Sequence, residues 1–230
     1  MGFRLTNDMP GVDRSAVSHR PLGHNRGHVN WAKKIFDTVI AIIALIVLSP
    51  LILLAMLLIR LQDGGPVMFS QDRIGKDGRY FRCFKLRTMV IDAQAQLDEL
   101  IASSPEARHE WEENQKLTSD PRITPLGNFL RKSSIDELPQ LLNIILGDMS
   151  LVGPRPIIES EVARYGDKFQ DYCSVQPGLT GLWQVRGRSD TTYAERVELD
   201  ATYARTRTFW GDVLILLQTV PVVLFVRGAR

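Results

Sequence analysis

The sequence predicts an α+β, mostly helical protein that is monotopic, meaning that it enters one face of a membrane without crossing it. Three observations lead to this class: a long charge-free segment near the N-terminus, two strand-like segments around a glycine-rich turn, and helix-like segments through most of the rest. We expect an N-terminal re-entrant helical hairpin, a small β-hairpin and a cytoplasmic core with interfacial helices. The predicted divisions are a flexible tail over 1–30 and one domain over 31–230, with a membrane helix at 31–62 and a cytoplasmic region at 63–230.

The composition excludes several classes of protein. The 230 residues are 44% hydrophobic, which is enough apolar material for a core and excludes a disordered chain. The 28 Lys and Arg residues nearly balance the 26 Asp and Glu residues, and the net charge of +2 argues against a nucleic-acid binder that works by bulk charge. Two isolated cysteines, Cys83 and Cys173, form neither a disulfide framework nor a cysteine zinc site, so they predict a reducing compartment.

The membrane segment is the apolar run from Thr38 to Ile59, in which 22 consecutive residues carry no charge. As an α-helix it is about 33 Å long, enough to cross a hydrocarbon core of about 30 Å. A signal peptide is a poor interpretation, because the run begins late, is too long and has no small-residue cleavage site behind it. A buried core helix is the other alternative, but a helix of this length that is apolar all round is typical of a membrane.

Ser49 and Pro50 divide this run near its middle. Pro50 lacks an N–H and its ring clashes with the carbonyl group four residues back, so we expect a kink there. The Ser49 hydroxyl can hydrogen-bond a carbonyl in the preceding turn and favour the same bend. The Lys and Arg residues on the two sides match in number, which favours a re-entrant hairpin over a single span. These flanking cations are Arg20, Arg26, Lys33 and Lys34 before the run, and Arg60, Arg73, Lys76 and Arg79 after it.

Two strands are predicted after the membrane segment, at Val67–Gln71 and Arg79–Thr88, around the turn 75–78. Alternation along the second strand places Lys85 and Arg87 on one face. Two cations on one strand face are typical of either a solvated edge or an anion clamp, and the strand alone leaves both open. At the mouth of the membrane segment, we expect Asp37 to pair with Lys33 one helical turn earlier.

The rest of the chain is predicted to be mainly helical. We expect a helical hairpin or lid over 92–116, a helix over 126–131, and a helix from Pro139 to Leu146 that ends at Gly147. Residues 176–188 are expected to form a glycine-rich loop, followed by an amphipathic helix over 193–207. The last apolar stretch, 209–225, is too short to span and suits an interfacial helix with Trp210 at the level of the headgroups.

The densest stretch of the chain, 131–156, contains adjacent carboxylates at Asp136 and Glu137, directly before the predicted helix. One interpretation is a capping box, in which Ser134 and Glu137 satisfy backbone donors of the helix. The other is chemical: a helix N-terminus holds carboxylates ionised and attracts a phosphate. An ionised Asp is a competent nucleophile, and a neighbouring carboxylate can hold Mg²⁺ on phosphate oxygens.

Cations for a diphosphate are present around this pair. Arg131 and Lys132 precede it, Arg155 follows between two prolines, and Lys85 and Arg87 become candidates for the same anion. The sequence contains neither a P-loop nor a Rossmann motif, nor the G-x-S-x-G of acyl hydrolases, nor the D-x-D of many sugar-nucleotide glycosyltransferases.

Taken together, the Ser-Pro hairpin, FKLRTM, DPRITPLGNFLRKSSIDELPQLLNIILGDMSLVGPRP and PGLTGLWQVRGR resemble the bacterial sugar transferase family. The resemblance covers residues 31–230 and is to the small monotopic polyprenyl-phosphate hexose-1-phosphate transferases, in particular the short enzymes that start exopolysaccharide synthesis. It implies transfer of galactose- or glucose-1-phosphate from a UDP-hexose to polyprenyl (undecaprenyl) phosphate, with release of UMP. It also implies Mg²⁺ as cofactor, the cytoplasmic membrane as location, no nucleic acid as partner, and the possibility of a homodimer.

The same resemblance implies roles for individual residues. Asp136 is the expected nucleophile, Glu137 the expected Mg²⁺ ligand, and Ser49-Pro50 the expected break of the re-entrant helix. The expected ligands of phosphates or nucleotide are Lys85, Arg87, Arg131 and Arg155, with Gln184 and Arg186 as candidates for the nucleotide or sugar pocket. Two alternatives stay open: a non-catalytic membrane-anchored scaffold that binds anionic lipid, and another phosphotransfer enzyme such as a lipid-diphosphate phosphatase.

Overall fold

The computed structural model describes residues 31–114, 117–187 and 191–224, and the predicted tail over 1–30 lies outside these ranges. The described chain is mostly helical with four short strands, which confirms the α+β prediction at this level. The helices are α1 (Trp31–Asp63), α2 (Ala93–Ser103), α3 (Pro105–Asn114), α4 (Pro125–Lys132), α5 (Gln140–Leu146), α6 (Val162–Tyr165), α7 (Phe169–Cys173), α8 (Leu182–Arg186), α9 (Tyr193–Thr206) and α10 (Phe209–Leu224). The strands are β1 (Met68–Ile74), β2 (Tyr80–Leu86), β3 (Ser150–Val152) and β4 (Gly178–Thr180).

Helix α1 is continuous over 33 residues with Pro50 inside it. It is long and apolar enough to cross a membrane, and only 17% of its most apolar 18-residue window is buried, unlike the core helix of a soluble protein. The Ser49 hydroxyl donates to the carbonyl oxygen of Ile46 at 2.7 Å, which confirms the predicted bond to the preceding turn. The bend and the re-entrant course remain predictions.

One narrow face of α1 packs on the core along the whole helix. Near its start Ala41 joins a buried cluster with Leu141 and Ile144. Near its end Ala55 and Ile59 join a second cluster, with Leu86 and Leu130. The other faces carry exposed apolar side chains, among them Ile35, Val39, Ile43, Ile46, Val47, Leu53, Leu57 and Leu61.

The predicted hairpin is present, and its strands β1 and β2 pair antiparallel from Met68 opposite Leu86 to Ile74 opposite Tyr80. The predicted helical hairpin is also present as α2 and α3, and α4, α5 and α9 lie within a few residues of their predicted positions.

The last apolar stretch forms α10, in which Trp210 is 77% exposed. Its placement at a membrane interface remains a prediction.

The prediction of a loop over 176–188 was wrong. This segment contains β4, which pairs parallel with β3, and then the short helix α8. The two strands approach so closely that a Cβ on Gly178 would lie 2.1 Å from the amide nitrogen of Gly153. Glycine content signals such close backbone contact as well as loops, and the partner strand lies far away in the sequence.

Candidate active site

The adjacent carboxylates lie in a 3₁₀ turn, Ile135–Glu137, ahead of α5. Ser134 adopts the left-handed conformation (φ 58°) that leads into this turn, and its side chain makes no capping hydrogen bond. Pro139 occupies the N-cap of α5, and Gly147 ends the helix at φ 88°, as predicted. The predicted capping box is therefore not formed, and the carboxylates are not explained by helix capping.

Glu137 lies between two cations. Lys85 Nζ donates to Glu137 Oε1 at 2.8 Å, and Arg155 Nη2 lies 3.7 Å from the same oxygen. Burial acts to raise the pKa of Glu137, but the positive charges of Lys85 and Arg155 outweigh it and lower the pKa to about 2. Glu137 is thus a permanent anion at neutral pH.

Asp136 is in the opposite situation, although it is the next residue. Its side chain is buried, and burial raises its pKa to about 6 against the opposing charge of Lys85. The charge of Glu137 acts in the same direction as burial. With a pKa of about 6, Asp136 is closer to protonation at neutral pH than Glu137 is, so burial acts against the expected ionisation at this turn.

Asn143 fixes the distance between α5 and β2. Its side chain is fully buried, accepts a hydrogen bond from the amide of Phe84 at 3.0 Å and donates one to the carbonyl oxygen of Arg82 at 2.7 Å. These bonds hold the strand beside the carboxylate turn, so Lys85 reaches Glu137 across 52 residues of sequence. Burial of two satisfied amide hydrogen bonds makes this a rigid contact.

A shallow, open cleft lies in front of Glu137. Predicted residues Lys85, Arg155 and Gln184 line it. The amide of Gln184 donates to the carbonyl oxygen of Leu179 at 3.2 Å, and its buried Oε1 has no hydrogen-bond partner among the described residues. The cleft therefore combines three cations, Arg73, Lys85 and Arg155, with an amide group, which suits a polar, anionic ligand.

The other predicted residues, including the buried Asp136, lie outside the cleft lining. Arg131 donates from Nε to the Thr88 hydroxyl at 2.8 Å, and burial lowers its pKa against the opposing effect of the charge of Asp136. Arg87 is buried and pairs with Asp63 at the end of α1. Arg186 lies at the end of α8 with an exposed side chain.

Among the lining residues that sequence reasoning did not assign to the site are a cation and an amide, Arg73 and Gln140. Arg73 lies on β1 and had been considered only as a cation flanking the membrane segment. Alternation in β1 gives no signal for its role, because its partners come from 156 and 161, more than eighty residues later.

The described residues contain no group of three or more His, Cys, Asp or Glu side chains that could enclose a metal ion. Mg²⁺ often binds through one or two carboxylates together with substrate phosphates, and Glu137 with Asp136 fits that mode. The donor set therefore fits a Mg²⁺ site that the phosphates of a substrate would complete.

Comparison with known proteins identifies the family. The model of bacterial sugar transferases matches residues 28–226, which is most of the chain. The chain belongs to the bacterial sugar transferase family. This membership confirms the predicted resemblance and with it the transferase class.

Several relatives of this family are similar over most of the chain. "Exopolysaccharide production protein ExoY" of Sinorhizobium fredii is 48% identical over 91% of this chain and 90% of its own length. Its counterpart in Rhizobium meliloti is 45% identical over 96% of this chain and 100% of its own length. "Undecaprenyl-phosphate galactose phosphotransferase" of Salmonella typhimurium is 49% identical over 86% of this chain, which spans only 42% of that relative.

Proposed function

We propose that this sugar transferase moves a hexose-1-phosphate from a UDP-hexose to polyprenyl phosphate in two steps. The observation that carries the proposal is the contrast within one turn: a buried carboxyl at Asp136 beside a permanently ionised Glu137 held by Lys85 and Arg155. The relatives' names supply the acceptor, because the Salmonella protein is named for undecaprenyl phosphate and galactose, and a Caulobacter vibrioides relative for UDP-glucose.

In the first step, a carboxylate oxygen of Asp136 attacks the β-phosphorus of the UDP-hexose. The bond from that phosphorus to the bridging oxygen breaks, UMP leaves with the electron pair, and a phosphohexose remains on Asp136. Lys85 and Arg155 bind the phosphate oxygens and offset the repulsion between the anionic nucleophile and the anionic substrate.

In the second step, a phosphate oxygen of the polyprenyl phosphate attacks the same phosphorus. The bond to Asp136 breaks, the free carboxylate returns, and the product is a polyprenyl diphosphate sugar. We assign the binding of the incoming phosphate to Arg131, which donates to the Thr88 hydroxyl and is influenced by the charge of Asp136. Mg²⁺, when bound by Glu137 and the substrate phosphates, would neutralise charge on the phosphate oxygens.

The membrane helix supports the choice of a lipid acceptor. Helix α1 packs through Ala41 on one buried cluster and through Ile59 on a second, while its remaining faces are apolar and exposed. A helix held at both of these places is consistent with entry into one leaflet, and this would place the Asp136 turn at the level of lipid phosphates. The proposed location is the cytoplasmic face of the inner membrane.

The catalytic proposal is tested by Asp136→Asn with UDP-galactose and UDP-glucose as donors. Without acceptor, the unmodified protein should release up to one UMP per molecule and gain the mass of one phosphohexose. The variant should do neither. Undiminished UMP release by Asp136→Asn contradicts the covalent mechanism, inorganic phosphate as the product favours the phosphatase alternative, and no product from either protein favours the scaffold.

The course of α1 is tested by labelling single cysteines in intact cells. Ser18→Cys and Gln62→Cys lie on the two sides of the membrane segment, and the native Cys83 and Cys173 are buried, which keeps the background low. Both new cysteines should be protected from an impermeant reagent. Labelling of Ser18→Cys alone from outside indicates a spanning helix instead.

A further inference from the structure

Arg73 is a charged residue of the cleft wall to which the proposed steps give no role. Its guanidinium donates from Nη1 to the carbonyl oxygen of Pro156 at 3.1 Å and from Nη2 to Gln71 Oε1 at 2.7 Å. Its side chain is only 16% exposed although it lines the cleft. Because its N–H groups donate to protein acceptors, its geometry suits holding a segment of chain in place.

The segment that it holds is the turn 154–156, which carries Arg155. Backbone hydrogen bonds fix the two ends of this turn: Gly178 donates to the carbonyl oxygen of Pro154 at 2.8 Å, and Ile74 donates to that of Ile157 at 2.9 Å. Prolines have no N–H to donate, so their carbonyl groups are the polar anchors of the turn. Arg73 anchors the carbonyl group directly after Arg155.

Arg73 is itself fixed by a carboxylate that two guanidinium groups share. Glu161 Oε2 lies 3.8 Å from Arg73 Nη1, and Glu161 Oε1 lies 3.6 Å from Arg196 Nη1. Arg196 is placed over the rings of Trp183 and Tyr193, at 5.1 and 5.2 Å from their centroids. The Tyr193 hydroxyl also donates to Glu161, at 3.2 Å. Alternating charges thus run from α9 to the cleft wall.

We propose that Arg73 is a positioning residue for Arg155, and that Glu161 and Arg196 hold Arg73 in place. Arg155 is 36% exposed and reaches Glu137 at 3.7 Å, so its own contacts do not restrict it to one rotamer. A fixed backbone at Pro156 restricts where its guanidinium can reach. The inference rests on the proposed function, in which Arg155 binds the donor's phosphates.

A double-mutant cycle separates positioning from a direct role. Arg73→Met removes the donors at similar side-chain length and should lower kcat/KM for the UDP-hexose on the order of 10- to 100-fold, the effect of a misplaced binding group. In an Arg155→Ala background the same change should cost less than about twofold, because the residue that it positions is gone. Equal effects in both backgrounds would overturn the proposal.

The pH profile distinguishes positioning from action through charge. If Arg73 acted by its field on Asp136, Arg73→Met would move the apparent pKa of UMP release, whereas a positioning role leaves it within about 0.3 unit. Arg82→Met is the matched control, because Arg82 is an exposed cation on the same hairpin, and its activity should stay within about twofold.

A binding measurement tests the positioning role even if the proposed activity is absent. If the unmodified protein releases no UMP, the same cycle is measured on the affinity for UDP by calorimetry. A loss of UDP affinity in Arg73→Met that disappears in the Arg155→Ala background then still supports the positioning role. Unchanged UDP affinity in Arg73→Met, with loss of affinity in Arg155→Ala, rejects it.

Discussion

Two ion-pair clusters of this protein contain cations and carboxylates in opposite proportion. In the cleft cluster two cations share one carboxylate: Lys85, Arg155 and Glu137. In the helix cluster, where α1 meets α10, two carboxylates share one lysine: Lys33, Asp37 and Asp212. The predicted pair of Lys33 with Asp37 is thereby confirmed at 3.3 Å, with Asp212 as a second partner at 2.6 Å.

The two clusters also differ in exposure. The side chains of the cleft cluster are 21 to 36% exposed, whereas those of the helix cluster are 6 to 14% exposed. Hydroxyl groups complete the helix cluster, because Ser150 donates to Asp37 at 2.6 Å and Tyr203 to Asp212 at 2.8 Å. A closed cluster with satisfied carboxylates joins elements together, while an open cluster with surplus positive charge is suited to binding an anion.

The largest expected effect of a single change in either cluster is that of Glu137→Gln. The change removes the charge that Lys85 and Arg155 share and the proposed Mg²⁺ ligand, and should lower the rate of UMP release on the order of 10²- to 10³-fold. The change should also lower thermal stability at neutral pH, because the folded state lowers the pKa of Glu137 to about 2 and so favours its charged form. A variant that keeps its activity but melts early would reverse the roles assigned to the two clusters.

The next effect in size belongs to Lys33→Met in the helix cluster. It leaves Asp37 and Asp212 buried without their shared cation, which should cost about 3 to 5 kcal/mol of the free energy of unfolding in detergent micelles. Lys34→Met is the control, because Lys34 is exposed on the same helical turn and its loss should cost under about 0.5 kcal/mol. Equal stability of the two variants would show that the helix cluster does not join α1 to α10.

The smallest effect concerns the pH dependence of Asp136. Folding raises the pKa of Asp136 from 3.8 to about 6. Above pH 6 the carboxyl is ionised in both the folded and the unfolded protein, and its burial lowers the free energy of unfolding. Below pH 3.8 it is protonated in both, and this effect is absent. Asp136→Asn should therefore raise the free energy of unfolding by about 1 to 3 kcal/mol at pH 7 to 8, and the gain should vanish as the pH falls to 3.8. Denaturant titrations at both pH values measure it.

The rate of UMP release should depend on the same pKa of Asp136, but here ionisation is favourable instead of destabilising. Because the ionised carboxylate is the nucleophile, UMP release should fall about tenfold for each pH unit below 6. A rate that stays constant down to pH 4.5 would mean that Asp136 is not the group that must be ionised.

Local sequence patterns predicted the elements that local forces determine. The turn around Gly75–Gly78 gave the β-hairpin, and Pro139 and Gly147 bounded α5 to within one residue. The bond of Ser49 to the preceding turn was predictable for the same reason, since both partners lie within one helical turn. The adjacent carboxylates and the cation at 85 were also identified from the sequence.

Long-range partners were not predictable in this way. The parallel pairing of β3 with β4 turned an expected loop into part of the core, and the ion pair of Arg87 with Asp63 at the end of α1 had no signal in the sequence. Arg73 was missed because its contacts lie at Pro156 and Glu161. Periodicity and spacing contain no information about which distant residues meet.

The sequence by itself determined the class of the protein, its family and the chemical groups of the site, because hydrophobic runs, turn residues and motifs are local properties. Only the tertiary structure decided how the two adjacent carboxyls differ. Burial raises the pKa of Asp136, and cations from two distant segments lower that of Glu137. The protonation of each depends on which charges and apolar atoms the fold brings within a few ångströms, and that is a property of three-dimensional packing.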